Sequence, residues 1–563
     1  MTTVDGPIEL RLRHALAATA IGPEVDIALQ IPPVLGEVKV GGERVELLER
    51  ELEQLPGVSK VTVIPPSLYL RLDDELIREA VVAHVLAHEQ EYGSSEAARG
   101  RSVDVNFSDP NANKPLHIGH LRNNFLGTAL AGLLAATGHR VDRSEFVSDW
   151  GIHICQAAVG HRRFGDGATP ESSGVRGDRL VGRSYVRFHE ENARLRERAP
   201  HEPTELEEEA SALLRGMELG DREAIATVLR IAGWAEAGIR ATYERIGTRM
   251  DMVIRESEAL ELGQEMVTDA LARGLCRRRD DGSVFFDMSD RDMGELTFLR
   301  RDGTQTVYTR GVAVLVQRAR RSTCERLIDL LGSHWQARYT AALEALRIFG
   351  YREMERVEPF YFGMVRSREG AISSREGTDL LADDVIDKAR ERLSSEGVEG
   401  AEEAESLALA LLKYHFLAVR AQKAIAFDDD ALWKRTLPRF ARLTRTLARL
   451  GKARDAPTDA RRSRRLLLHV AALPGTVARA ADRLDPAPLV HFVDVACVEA
   501  AKSVEALGAD DAAAVAIAIR RALGIVEIRL PHRLERLPAP LGLAAREGRP
   551  GVAAFAGSSV GGA

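Results

Sequence analysis

The sequence predicts an α/β chain, with a parallel-sheet core in the middle, a small α+β domain ahead of it and an all-helical bundle behind it. Three observations carry that reading. From Val103 the pattern runs strand, polar loop, helix, strand: Val103, Val105 and Phe107 alternate, Ser108 to Pro115 is turn-forming, and Leu121 to Thr137 is a Leu- and Ala-rich helix stopped by Gly138. Val141 to Phe146 then turns extended again, which closes a βαβ unit with a ligand crevice beyond its strand ends. Before this unit helical and extended stretches mix, and after about residue 400 every stretch reads as helix.

In chain order, residues 1–100 hold a helix over Leu10 to Ala20, a strand over Val61 to Ile64 bounded by Pro65-Pro66, and an amphipathic helix over Asp73 to Tyr92. The core spans 101–395. Within it, residues 164–180 are a Gly/Ser/Pro-rich surface loop, and charged helices from about 184 to 245 form an insertion over about 160–250. Their mixed-sign charges read as a solvated face. Val284 to Phe286 and Thr306 to Tyr308 read as strands returning to the sheet. Helices fill 396–550, and 551–563 is a flexible tail ending in the Gly/Ala/Ser run Gly557 to Ala563. No solenoid-type repeat occurs.

Composition excludes several classes. With 563 residues, 45% hydrophobic and 29% charged, the chain is of ordinary globular type and long enough for several cores. No run of eighteen apolar residues exists, so no membrane partner is expected, and the N-terminus MTTVDGPIELRLRHAL lacks the apolar stretch of a signal peptide. Cys155, Cys276, Cys324 and Cys497 form no CxxC pair, so neither a zinc site nor a disulfide framework is expected. A cytoplasmic monomer is the expectation. Net charge is −7, yet Lys434 to Arg465 carries twelve Lys/Arg against Asp455 and Asp459, a local balance of +10. A polyanion meets that patch, not the total.

The polar loop after Phe107 runs into His117-Ile-Gly-His120 at the start of a helix. A helix N-terminus presents unpaired N–H groups and a positive dipole end, which suits phosphate. Two imidazoles three residues apart can bridge the α-phosphate of ATP, and Gly119 lets a purine approach the backbone. Such donors stabilise the charge that builds on phosphate oxygens while a carboxylate attacks and pyrophosphate leaves. Two surface histidines would be the bland account of an isolated motif; the βαβ setting favours the phosphate site and a Rossmann-like core.

The run FSDPNANKPLHIGHLRNN (Phe107 to Asn124), followed by Ser148-Asp-Trp-Gly151, resembles the signature of the arginyl-tRNA synthetase family of class I aminoacyl-tRNA synthetases. Similarity continues through RRDGTQTVYTRGVA (Arg300 to Ala313), GMVRSREGAISSREGT (Gly363 to Thr378) and LDPAPLVHFVDVA (Leu484 to Ala496), over nearly the whole chain. The first segment is highly specific; the C-terminal matches are weak alone. The resemblance implies a ligase that activates an amino acid with ATP and its Mg2+, with no protein-bound metal, and transfers it to tRNA. It implies a tRNA-contacting role for the N-terminal domain and an anticodon-binding role for the helical one. It also implies that His117, Gly119 and His120 hold ATP, that Lys114 offsets phosphate charge, that Ser108 and Asn111 meet the amino acid, and that Asp149 and Trp150 shape the pocket wall. The family's second nucleotide loop is degenerate here. Ala371-Ile-Ser-Ser-Arg-Glu-Gly377 lacks the leading lysine and leaves Ser373, Ser374 and Arg375 as phosphate contacts.

The departures concern arginine. A guanidinium is always charged, and selective pockets hold it with carboxylates in bidentate geometry. The family's acid two residues before the serine is Asn106 here. The Tyr-x-Thr-Arg-Asp pattern reads Val307-Tyr-Thr-Arg-Gly311, with Tyr308 one position off and expected on the opposite face of a strand. Gly332-Ser-His-Trp-Gln336 stands where the family has a glutamine-containing stretch, and His153 stands for glutamine. Removing one partner of a buried charge costs about 3–5 kcal/mol, roughly two to three orders of magnitude in affinity. Glu145 and Asp149 are the nearby acids that could compensate.

In the basic segment Arg435, Arg439, Arg442, Arg445, Arg449 and Lys452 are spaced along one helix face, with Trp433, Leu437, Phe440, Leu443, Leu447 and Leu450 on another. The apolar stripe is core, and the basic one would track tRNA phosphates. Three functions stay open: an arginyl-tRNA synthetase with an unusual pocket; a relative that activates another amino acid for tRNA or a different acceptor; and a non-catalytic tRNA-binding relative. The intact Asn111, Lys114, His117 and His120 favour catalysis.

Overall fold

The computed structural model describes residues 6–17, 26–29, 38–41, 49–198, 200–367, 380–428, 430–454 and 458–531. The N-terminal part comprises α1 (Pro7–Ala17), β1 (Asp26–Leu29), β2 (Val38–Gly41), α2 (Glu49–Glu53), β3 (Val58–Ile64), β4 (Ser67–Leu72) and α3 (Asp74–Ala87). The strands pair antiparallel in the order β1-β2-β4-β3. Val38, Val40, Leu68, Leu70 and Leu72 are buried in alternation, and Ile77, Val81 and Val85 of α3 lie at helical spacing in the same core. Helix α1 begins three residues earlier than its apolar pattern suggests.

The core sheet contains β5 (Ser102–Asn106), β6 (Arg140–Val147), β7 (Met252–Arg255), β11 (Arg326–Gly332) and β12 (Val357–Phe362). All five are parallel, in the order β12-β11-β5-β6-β7. Helix α4 (Ile118–Ala136) links β5 to β6. Its residues Leu121, Phe125, Leu126, Leu130, Leu133 and Leu134 are buried, and Gly138 follows at φ 95°, as its stop signal predicts. Between β6 and β7 come α5 (Ile152–Phe164), α6 (Pro170–Ser173), α7 (Gly177–Arg198), α8 (Glu205–Glu218) and α9 (Arg222–Ile246). The chain therefore leaves β5 toward β6 and β7 and later returns on the other side of β5 as β11 and β12. The switch point lies between β5 and β11, where open α/β sheets bind ligands.

Two expectations for this stretch need correction. After α10 (Leu260–Ala272), Val284 to Phe286 is extended but does not rejoin the parallel sheet. It belongs to β9 (Val284–Asp287), between β8 (Arg277–Arg278) and β10 (Glu295–Leu299) in a separate antiparallel sheet. Thr306 to Tyr308 is not a strand. Thr306 caps α11 (Val307–Arg321), its hydroxyl accepting from the Tyr308 N–H at 3.2 Å. The β-branched run imitated a strand, while Val312, Leu315, Val316 and Ala319 carry the helical period that decides the matter.

After β11 come α12 (Gln336–Phe349), β12, β13 (Val365–Ser367) and α13 (Ala382–Ser395), then α14 (Ala401–Leu417). The C-terminal part is helical except for β14 (Ile425–Phe427), which pairs parallel with β13 and ties the two regions together. Beside that join the buried Arg122 of α4 donates to the carbonyls of Ala421 (3.1 Å), Lys423 (2.7 Å) and Gly363. A π-helical turn, Ala431–Thr436, leads into α15 (Leu437–Leu450), followed by α16 (Ala460–Ala471), α17 (Leu473–Asp482), α18 (Ala487–Ser503) and α19 (Ala509–Ile525). The N-terminal part docks on this bundle: Arg78 pairs with Asp511 at 3.0 Å, and the Tyr92 hydroxyl donates to the Val470 carbonyl at 2.7 Å. No helix among the described residues is long and apolar enough to cross a membrane.

Candidate active site

A cavity of about 1050 Å³ opens at the switch point, walled by the loop after β5, the start of α4, the loop after β6, one side of α11 and the end of β11. At the end of the cavity where α4 begins, His117 caps the helix: its Nδ1 accepts from the Gly119 N–H at 3.0 Å, and His120 Nδ1 accepts from the His117 N–H at 3.3 Å. The ring centroids lie 4.0 Å apart. Because each Nδ1 accepts, each ring carries its proton on Nε2, and both imidazoles line the cavity. Burial, then the nearby His117 and Lys114, holds His120 well below the usual histidine range. It stays neutral at physiological pH. Gly119 has a reason beyond the one read from the motif: a Cβ there would lie 2.8 Å from Cε1 of His117. The missing side chain makes room for the capping ring.

Toward the substrate end, Lys114, Asn111 and His153 line the cavity with Ser108. The Ser108 hydroxyl accepts from Asn124 at 2.9 Å and from the Tyr243 hydroxyl at 2.6 Å. Asn111 bridges Ser148, while His153 Nε2 lies 3.2 Å from the Ser148 hydroxyl. Burial, then Arg310 and Lys114, pushes His153 down to about 3, so this ring is neutral too. Val307 and Gly311 line the cavity from successive turns of α11, and nothing lies within 4 Å of a Cβ built on Gly311. Tyr308 lines it as well, because a helix rather than a strand carries it.

Several predicted contacts fall behind the wall. Asn106 is fully buried and turns its amide to Asp109. Asp149 accepts from the Ser257 N–H (2.9 Å) and hydroxyl (2.5 Å), tying two loops together, and Trp150 is packed into the neighbouring helical core. Glu145 accepts from the Tyr243 hydroxyl at 2.5 Å, and burial pushes it up to about 8. Neither Glu145 nor Asp149 reaches the cavity, so neither replaces the missing acids. Ser373, Ser374 and Arg375 lie outside the described residues.

Sequence reasoning passed over two carboxylates in the wall. Glu256 is paired with Arg310 at 3.0 Å, both largely buried. Asp109 sits inside the quoted motif and was legible as a letter, though not as a position. On the surface, Arg435, Arg442, Arg445, Arg449 and Lys452 are exposed, whereas Arg439 pairs with Asp494 and lies 5.6 Å over the Tyr414 ring. Phe440, Leu443, Leu447 and Leu450 form the buried face as predicted.

A parallel sheet whose switch-point cavity is headed by a His-x-Gly-His helix defines a ligase of the class I tRNA synthetase type. The family model "tRNA synthetases class I (R), catalytic domain" matches residues 81–408. The arginine–tRNA ligase of Treponema pallidum is 31% identical over 74% of this chain and 75% of its own length. That of Bacteroides thetaiotaomicron is 33% identical over 72% and 71%. The chain belongs to the arginyl-tRNA synthetase family. Its fold is that of Thermus thermophilus arginyl-tRNA synthetase, with a TM-score of 0.68 over 93% of this chain and 99% of that one at 19% identity.

Proposed function

We propose that the protein activates arginine with ATP and transfers it to tRNA. The observation that carries the reading is the pair of imidazoles at the N-terminus of α4, lining a cavity that Asn111 and Lys114 also line. The amino acid's carboxylate attacks the α-phosphorus of ATP, the bond to the β-phosphate oxygen breaks, and pyrophosphate leaves with its Mg2+. His117, His120 and the positive dipole end of α4 stabilise the charge gained by the α-phosphate oxygens, and Lys114 offsets charge on the phosphate chain. A ribose hydroxyl at the tRNA 3′ end then attacks the adenylate carbonyl and AMP departs. Family membership and the relatives' names support arginine and tRNA as substrates, and a cytoplasmic monomer is the proposed setting. The five exposed cations from Arg435 to Lys452 are the proposed tRNA track.

Amino-acid-dependent ATP–pyrophosphate exchange, with and without tRNA, tests the reading across a panel of amino acids. Exchange with arginine is expected; no exchange with any amino acid, tRNA present, overturns it. Arg442→Glu with Arg445→Glu should weaken tRNA binding and lower the slope of log K against log salt by about 1.5, leaving tRNA-independent steps unchanged. Equal binding would return that stripe to a solvated face.

A further inference from the structure

We propose that Asp109 is the carboxylate that receives the cationic side chain of the amino acid, taking over from the acid that Asn106 replaces. The inference deepens the reading of an arginine-activating enzyme and rests on it. Two carboxylates line the cavity among the described residues, and Glu256 is already matched by Arg310. Asp109 is held by neutral donors alone. The Asn106 amide reaches both of its oxygens at 2.9 Å, and the Phe146 N–H reaches Oδ1 at 2.9 Å. Those bonds fix the group without neutralising it and leave Oδ2 able to accept another.

The backbone is bent to put it there. Ser108 and Asp109 follow β5 at φ 79° and 46°, consecutive left-handed residues with the cost such positions carry. Position 106 is coupled to this arrangement: an acid there would set two carboxylates within hydrogen-bond distance of one another, and an amide instead donates. The amide at 106 is therefore what allows a carboxylate to sit at 109. The charged and titratable groups around Asp109 explain why it needs a partner. Asp329 of β11, Glu145 of β6, Tyr243 of α9 and Tyr339 of α12 face it, and Arg318 of α11 is engaged by Asp104 and Asp329. Burial first, countered by the Phe146 N–H and reinforced by Asp329, pushes the Asp109 acid up to about 7. Arg318 acts on Asp109 only in part, because Asp104 and Asp329 share it, and a docked cation would add a partner of its own.

The test is pyrophosphate exchange with arginine, lysine and citrulline, the uncharged analogue of arginine, on the full-length enzyme. Wild type should use arginine or lysine and reject citrulline. Asp109→Asn should raise the KM for the cationic amino acid at least about a hundredfold, leave the KM for ATP within about twofold, and erase the preference over citrulline. Should Asp109→Asn fold poorly, Asp109→Ser, which removes the carboxylate and keeps a small polar group, decides by the same comparison: loss of the preference for the cation over citrulline supports the assignment, and a retained preference overturns it. A wild type that accepts citrulline as well as arginine, or an Asp109→Asn enzyme that still discriminates, overturns the role of Asp109 and leaves the activity intact. A wild type inert with every amino acid, tRNA present, overturns the activity and this inference with it.

Discussion

At the phosphate end of the cavity the two donors come from His117 and His120, three residues apart on one helix turn. At the side-chain end the walls come from the loop after β5, β6, α11 and β11, brought together across the chain from Asp109 to Trp335. The first is a local device: one N-cap histidine, one glycine beneath its ring and one histidine closing back on the cap. The second is a tertiary device, assembled from residues far apart in the chain, whose members can be exchanged singly. The phosphate end should thus break all at once under substitution, and the side-chain end by degrees.

The largest effect is expected where the device is local. His117→Ala or His120→Ala should cut the rate of pyrophosphate exchange by about 10²–10³, the size expected for losing a preorganised donor to a developing oxyanion. The arginine KM should hardly move, because arginine binds elsewhere. A variant with near-normal turnover, or one that loses arginine affinity instead, would erase the division between the two ends.

A smaller, graded effect separates the ends by pH. Burial holds both His120 and His153 low, His153 at about 3, so neither ring is expected to gain a charge near neutral pH. Asp109, raised to about 7, changes charge there. Below 7 it is protonated and cannot pair with a cation, so kcat/KM for arginine should rise about tenfold per pH unit up to 7 and then level off, while the KM for ATP stays flat. Stability carries the opposite sign. A raised acid favours the fold in its neutral form, a contribution complete below its unfolded value of 3.8 and lost as pH rises through about 7. From pH 6 to 8 the ligand-free melting temperature should drift down, with Glu145, raised to about 8, adding to the fall, while the shift produced by arginine grows. Parallel movement of the two would remove Asp109 from the side-chain end.

The same division decides what the sequence could tell. His117, Gly119 and His120 make i, i+2 and i, i+3 contacts, so their spacing marked the start of α4, as the alternation of Val103, Val105 and Phe107 marked β5. Asp109 lay in plain view, but its role depends on two left-handed residues and on an amide three positions back, neither of which has a periodic signature. Glu145 and Asp149 looked closer along the chain, yet partner hydroxyls from α9 and from the turn after β7 draw them away from the cavity. The Thr306 stretch misled for a different reason: β-branched residues at a helix cap read as extended until the apolar period beyond them is weighed. Glu256 and Arg310 are 54 positions apart and cancel each other, a pairing only the fold reveals.

The smallest effect tests the most permissive position in that wall. Gly311 faces the cavity one helical turn after Val307, and a Cβ there meets nothing within 4 Å. Glycine inside a helix costs roughly 0.5–1 kcal/mol relative to alanine, so filling the position should not harm the fold. An acid near a helix N-terminus is also well placed against the dipole. Gly311→Asp should therefore fold like the wild type and add a second carboxylate opposite Asp109. Arginine KM should fall about five- to tenfold, the ATP KM should stay put, and citrulline should gain nothing. Improvement for citrulline too would mean that the new side chain meets the shared backbone of the amino acid. An unchanged arginine KM would place the cation wholly on Asp109, leaving the α11 wall as a spacer, and the contrast between the two ends would then rest on one carboxylate against two imidazoles.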